Sequence, residues 1–236
     1  MSPIPKPVVV NFIGGDPERI RGAGAHPAAT FEETAVQAVA LAAGAPVEAA
    51  APPNDGAGLG AAARAEAARL APGQTRIRGL FSGGSLAGEA KLIIRELLGP
   101  EATGRVIDLG DDEYTVGRPH PMIDPRLRNE FIADAARDPE VAVVLLDLVL
   151  GYGAHPDPAG AVLPAIAGAQ DIAGAAGRGL TFVASVCGTS GDPQGRNGQE
   201  SALVGAGVLL AGSNAGAARL AARIAAEART RVGWPA

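Results

Sequence analysis

Three histidines occur in 236 residues, and each is followed by proline: His26-Pro27, His120-Pro121 and His155-Pro156. Proline pushes the residue before it into an extended conformation, so all three are expected in loops or turns rather than inside helices. An imidazole so placed can act as acid/base, phosphate ligand or phosphoryl acceptor; a His-Pro pair can equally do no more than shape a turn. His155 is the strongest candidate. It follows an apolar run, residues 145–150, that reads as a strand covered on both faces. The run ends in Gly151-Tyr152-Gly153-Ala154-His155-Pro156-Asp157-Pro158, and the loop is expected to present Asp147, Tyr152, His155 and Asp157. No metal-ligand spacing surrounds the histidines, so no metal site is expected.

Glycine-rich loops follow three other apolar runs. Residues 77–81 lead into Ser82-Gly83-Gly84-Ser85. Free N–H groups at a helix start there can hold an oxyanion or phosphate, and Gly83 and Gly84 allow close backbone approach. Residues 181–186 lead into Cys187-Gly188-Thr189-Ser190-Gly191-Asp192-Pro193, and polar residues continue through Arg196 and Asn197 to Glu200. A long irregular loop in a compact domain is often functional. Gly188, Thr189, Ser190 and Gly191 can form a nest of N–H groups, with Arg196 pairing a carboxylate or phosphate. Residues 8–13 lead into Gly14-Gly15-Asp16-Pro17. A further anion candidate combines Arg118, His120 and Arg126 with a helix start at Asp124-Pro125, where Asp124 is the expected N-cap and Pro125 the first helical residue. Cys187 has no strong base near it in sequence and reads as a small apolar residue.

These loops need strands and helices to position them. The order from residue 76 onward alternates strand and helix five times, which implies parallel pairing with right-handed crossovers. The expected fold is α/β: a flavodoxin-like three-layer sandwich with a mostly parallel sheet, covering residues 75–236. Residues 1–44 supply a partial α/β unit, with a strand at 8–13 and a helix opened by a Thr30…Glu33 capping box. Residues 45–74 read as an Ala/Pro/Gly-rich linker and a short helix at 61–70. Val8 to Gly15 with Asp16-Pro17 echoes Val183 to Gly191 with Asp192-Pro193, which suggests a degenerate internal repeat with its first copy cut short.

Composition narrows the partners. Apolar residues make up 47% and aromatics 3%, so the core is built of Ala, Val, Leu and Ile. Net charge is −5, and no basic cluster interleaves with aromatics, so nucleic acid is not an expected partner. No apolar stretch approaches ~18 residues, so no membrane span is expected. A single cysteine fits a reducing compartment, and the chain reads as cytoplasmic.

Several segments together resemble a known family. Phe81-Ser82-Gly83-Gly84-Ser85-Leu86-Ala87-Gly88-Glu89-Ala90, His120-Pro121-Met122-Ile123-Asp124-Pro125, Leu148-Val149-Leu150-Gly151-Tyr152-Gly153-Ala154-His155-Pro156-Asp157-Pro158 and the stretch 183–200 are similar to the carboxyl-terminal part of FdrA proteins, relatives of the succinyl-CoA synthetase α subunit. The resemblance implies CoA-ligase domains that handle acyl-CoA or acyl-phosphate. In the synthetase a phosphohistidine within Gly-His-Ala-Gly-Ala carries the phosphate. Here Arg21-Gly22-Ala23-Gly24-Ala25-His26 is one counterpart, with His26 displaced, and residues 196–201 are another, without histidine. The family's CoA-binding Rossmann domain has no fingerprint in this chain. CoA or acyl-phosphate would then be bound together with a separate CoA-binding or nucleotide-binding subunit, in a homo- or hetero-oligomer.

The expected function is that of an FdrA-like acyl-CoA synthetase fragment or split subunit. Catalytic roles fall to His155 and His26. Gly83, Gly84, Ser85, Arg118, His120, Arg126, Gly188, Thr189, Ser190, Gly191, Arg196 and Asn197 would bind substrate or phosphate. Two alternatives stand beside it: a subunit of an oxamate carbamoyltransferase forming carbamoyl phosphate in ureide breakdown, and a non-catalytic assembly module.

Overall fold

The computed structural model describes residues 6–47 and 56–231. The chain divides into two compact units, Met1–Asp55 and Gly56–Ala236.

The first unit holds β1 (Val9–Asn11), α1 (Pro17–Gly22), β2 (His26–Ala28) and α2 (Phe31–Ala42). The two strands pair in parallel, with Val9 opposite His26 and Asn11 opposite Ala28. Each helix start has a side-chain cap, that of α2 being the one the sequence indicates. Asp16 accepts the Glu18 N–H at 2.9 Å. Thr30 Oγ1 accepts the Glu33 N–H at 3.0 Å, and Glu33 reaches back to the Ala29 N–H at 2.7 Å.

The second unit runs α3 (Gly56–Arg69), β3 (Arg76–Phe81), α4 (Gly84–Leu98), a 3₁₀ turn (Pro100–Arg105), β4 (Val106–Asp108), α5 (Asp112–Thr115), α6 (Arg126–Arg137), β5 (Val141–Val149), α7 (Pro158–Ala175), β6 (Thr181–Cys187), α8 (Arg196–Gly205), β7 (Leu209–Ala211) and α9 (Asn214–Arg231). Its five strands lie in the order β4-β3-β5-β6-β7, all parallel. Numbered within the unit this is 2-1-3-4-5, the flavodoxin order, whose direction reverses between β3 and β5.

Strand β5 shows why the sheet is buried on both sides. Alternate residues point to opposite faces. Val143 and Leu145 join one core with α3, α4 and α9, while Val144, Leu146 and Leu148 join another with α6, α7 and α8. Few aromatics are available, so the first core is dominated by alanines of α9 packed against Ile94, Phe81 and Ile77.

The short helix expected at residues 61–70 is longer than the sequence suggests, and the stretch 48–55 of the expected linker lies outside the described residues. Helix α3 already begins at Gly56, and Ala63, Ala67 and Leu70 are buried in the first core. Alanine's helix propensity and small volume let an Ala-rich stretch serve as a packed helix rather than a spacer. Among the described residues no helix is long and apolar enough to cross a membrane.

Candidate functional site

In open parallel sheets, ligands bind beyond the carboxyl ends of the strands where the order reverses. Here that point lies between the loop after β3, residues 82–84, and the loop after β5, residues 150–157.

A buried carboxylate joins the two strands. Asp147 sits within β5, not in the loop, and is 0% exposed. Its Oδ1 accepts the Ser82 N–H at 2.7 Å, its Oδ2 accepts the Gly83 N–H at 2.8 Å, and the Ser82 hydroxyl donates to both oxygens at 3.1 Å. Arg128, on the first turn of α6 and 3% exposed, donates to the Asp147 carbonyl at 2.7 Å and to Oδ1 at 3.3 Å. Its Nε is buried without a partner. Burial pushes the Asp147 carboxyl up from its ordinary value, opposed by Arg128 and by the Ser82 and Gly83 donors.

Asp147 therefore takes the Gly83 amide, which the loop was expected to offer a ligand, together with that of Ser82. Gly83 is the N-cap of α4 and has no side chain to cap with. Gly84 and Ser85 are exposed in the first turn. Asp108, at the end of β4, lies against Gly84: a Cβ there would come within 2.5 Å of its Oδ2. Gly110 is equally tight, since a Cβ would meet His120 Nε2 at 2.5 Å and the Ser82 carbonyl at 3.0 Å.

His120 and His155 are held in the same way. The Met122 N–H donates to His120 Nδ1 at 3.2 Å, and the Asp157 N–H donates to His155 Nδ1 at 3.0 Å. A neutral ring that accepts at Nδ1 carries its proton on Nε2, so each histidine has an N–H donor there, that of His120 lying against Gly110. The same bond disfavours a free lone pair on Nε2, which a phosphoryl acceptor needs. The two loops also touch, because the His155 N–H donates to the Met122 carbonyl at 2.7 Å.

Two glutamines that sequence reading passed over tie the β5 and β6 loops together. Gln194 donates to the Gly151 carbonyl at 2.7 Å and to the His155 carbonyl at 3.2 Å, and accepts the Gly151 N–H at 3.1 Å. Gln199, buried in α8, accepts the Ala159 N–H at 2.8 Å and donates to Asp157 at 3.0 Å. The Gly160 N–H and the Gln199 amide hold the Asp157 carboxyl, which caps α7, below its usual range.

Several expected anion ligands are already paired. Arg126 forks onto Asp124 at 2.8 and 3.0 Å, and the Asp124 side chain accepts the Arg126 N–H at 3.1 Å. The helix begins at Arg126 with Pro125 at the N-cap position, one residue later than expected, while the Asp124 carboxylate serves both the Arg126 side chain and a first-turn amide. Arg196 donates to Glu200 at 2.7 Å and to the Gly188 carbonyl at 3.2 Å. Thr189 and Gly191 are folded into a turn around Asp192, whose carboxylate accepts the Thr189 N–H at 2.5 Å and hydroxyl at 3.2 Å, while Thr189 Oγ1 accepts the Gly191 N–H. Ser190 and Asn197 are exposed on the same rim. Arg118 is exposed and lines an opening of about 260 Å³ with Asp124 and Arg126. Burial pushes the Cys187 thiol up.

His26 belongs to the first unit. It opens β2 in the first unit, not a loop, and its N–H donates to the Val8 carbonyl at 2.8 Å. The extended conformation that proline imposes suits a strand as well as a turn. No group of three His, Cys, Asp or Glu among the described residues is placed to hold a metal.

A flavodoxin-order sheet with glycine-rich loops and two histidines on the loops at its reversal point defines the class, and the chain belongs to the CoA-ligase family, which matches residues 80–224. It is 42% identical over 172 residues to the uncharacterized protein YahF of Escherichia coli (strain K12), a match covering 65% of this chain and 33% of YahF. The chain thus spans about a third of that relative's length. Among solved structures it is similar to PH0766 from Pyrococcus horikoshii OT3 (14% identity, TM-score 0.45, 92% of this chain and 44% of that one). It is also similar to the dinucleotide forming acetyl-coenzyme A synthetase 1 of Ca. Korarchaeum cryptofilum (12% identity, TM-score 0.44, 92% and 42%).

Proposed function

We propose that the second unit is the phosphate- or acyl-phosphate-handling part of an acyl-CoA ligase-like enzyme of FdrA type, with CoA and nucleotide bound on a partner subunit. The observation that carries this reading is the pair of histidines on the loops at the reversal point, each accepting a backbone N–H at Nδ1, together with the exposed Gly84 and Ser85 in the first turn of α4. N–H donors and a helix start suit an oxyanion. Gly84, Ser85 and the exposed Ser190 supply the remaining contacts, and Arg118 is a guanidinium available for a carboxylate. In this reading His155 donates a hydrogen bond or proton to a phosphate oxygen; it does not become phosphorylated, because its Nδ1 is already an acceptor.

The test is calorimetric titration of the chain with inorganic phosphate, carbamoyl phosphate and CoA. Phosphate and carbamoyl phosphate are expected to bind, and His155→Ala to weaken them by about 10–100-fold, the worth of one charge-assisted hydrogen bond. Tighter binding of carbamoyl phosphate than of phosphate points to the carbamoyltransferase variant of the same chemistry. An unchanged affinity in His155→Ala, or no binding of either anion with or without the partner, refutes the reading and leaves an assembly role.

A further inference from the structure

The amino ends of the strands carry a second group of charges, at the opposite end of the sheet from the rim. Strand β4 pairs with β3 only from Gly79 to Phe81. Among the described residues, the edge of β3 from Arg76 to Arg78 therefore has no strand on that side. The 3₁₀ turn Pro100–Arg105 stands there instead. A cavity of about 790 Å³ opens between this turn, the start of β3, the turn before β5 and the ends of α4 and α9. That volume is within the range of sites for metabolite-sized ligands. None of the residues expected from sequence to bind substrate or phosphate lines it.

Ile77, Leu98 and Ala102 give the cavity an apolar wall, and Arg76, Arg105 and Arg229 give it guanidiniums. Arg76 pairs with Glu140. Arg105 pairs with Asp138, which also takes Arg78 at 3.5 Å, so one carboxylate serves two cations. Burial, and then the Arg105 charge, push the Arg78 guanidinium down from its ordinary value against the pull of Asp138. Arg229, near the end of α9, is half-buried. Among the described residues its guanidinium donates only to the Leu98 carbonyl, at 3.4 Å. Burial lowers it too, and no acid among the described residues offsets that. A guanidinium partly withdrawn from water without a counter-charge favours an anion that can reach it. Glu101 is exposed and lines the same cavity, where it opposes a second negative charge. The apolar wall and this acid suit a carboxylate on a hydrocarbon body better than a phosphate dianion.

We infer that this cavity is an accessory site for an organic monocarboxylate of metabolite size, its carboxylate held by Arg229 and its hydrocarbon part laid on Leu98 and Ala102. The site lies at the far end of the strands from Gly84 and His155, so its occupancy does not depend on whether the rim binds phosphate.

The probe is sodium hexanoate, titrated at low ionic strength into the full chain and into its His155→Ala variant, with binding followed by NMR of the arginine Nε–H groups. One saturable site with a Kd of about 1 mM or tighter is expected, the same in both chains. Inorganic phosphate should bind the His155→Ala chain at least ~10-fold more weakly than hexanoate does. Arg229→Gln should weaken hexanoate at least ~10-fold, with the fold checked by circular dichroism. Glu101→Gln changes only an exposed side chain and should tighten hexanoate about 2–5-fold, because an opposing charge is gone. This second variant keeps the test decisive if Arg229→Gln does not fold. Absence of saturation, affinity that survives Arg229→Gln, or affinity unchanged or weakened in Glu101→Gln overturns the inference. So does hexanoate binding lost in His155→Ala, which puts the anion at the rim and leaves the phosphate reading standing.

Discussion

Replacing Asp147 by asparagine changes one atom in a group with no solvent exposure, and the surroundings set the cost. The carboxylate uses both oxygens as acceptors for the Ser82 and Gly83 N–H groups. Asparagine has one oxygen, so its amide nitrogen must face one of those donors. The change also leaves the Arg128 guanidinium, 3% exposed, without its counter-charge. Breaking one side of a buried ion pair costs about 3–5 kcal/mol. A chain of this size loses about 2–4 °C in Tm per kcal/mol, so Asp147→Asn should lower Tm by roughly 6–20 °C. Urea unfolding followed by far-ultraviolet circular dichroism gives the free energy directly. Joint replacement, Asp147→Leu with Arg128→Met, removes both charges and should recover much of the loss, because apolar pairs of similar volume are tolerated in such places. A single-mutant loss below about 1 kcal/mol, or a double mutant no more stable than the single, refutes the view that the pair organises the reversal point.

Gln199→Ala leaves the Ala159 N–H without its acceptor and removes one of the two donors to Asp157 Oδ1, which keeps the Gly160 N–H; this should cost about 1–3 kcal/mol in urea unfolding. The Asp157 carboxyl lies below its usual value in the folded chain, so its contribution is present above about pH 4 and is lost as pH falls through the folded value. Gln199→Ala should therefore move the acid-unfolding midpoint of the chain to higher pH, and a shift to lower pH contradicts the assignment. Burial raises the Cys187 thiol, so iodoacetamide should alkylate it more slowly at pH 8 than a free cysteine thiol; an equal or faster rate counters this.

The strands and their order were legible because period and punctuation agree. Residues 141–149 form an apolar run too short for a buried helix and bounded by turns, and the structure makes of it a doubly covered strand. The capping box at Thr30 was readable for the same reason, since its chemistry is local. The candidate site was legible as a set of loops but not as a set of bonds. Nothing in the spacing of Asp147 and Gly83, 64 residues apart, says that a carboxylate will occupy an amide a ligand was expected to take. Arg126 and Arg196 look like free cations in sequence, yet each finds an acid within a few residues. Gln194 and Gln199 carry no motif, and only the folded loops reveal them as clasps. Alanine blurred a boundary: the sequence places the helix at 61–70, whereas the chain starts it at Gly56 and packs it into the core.

Strand β5 carries a hazard along with its core. From Val141 to Leu150 the chain has ten residues, of which only Asp147 is charged, and five of the six before it are β-branched or leucine. A segment of that kind, uncovered before its neighbours arrive, is a template for cross-β stacking. Asp147 is the gatekeeper of that run as well as its internal clasp. Refolding of the Asp147→Asn chain should therefore deposit fibrillar aggregate at concentrations where the wild-type chain returns to solution.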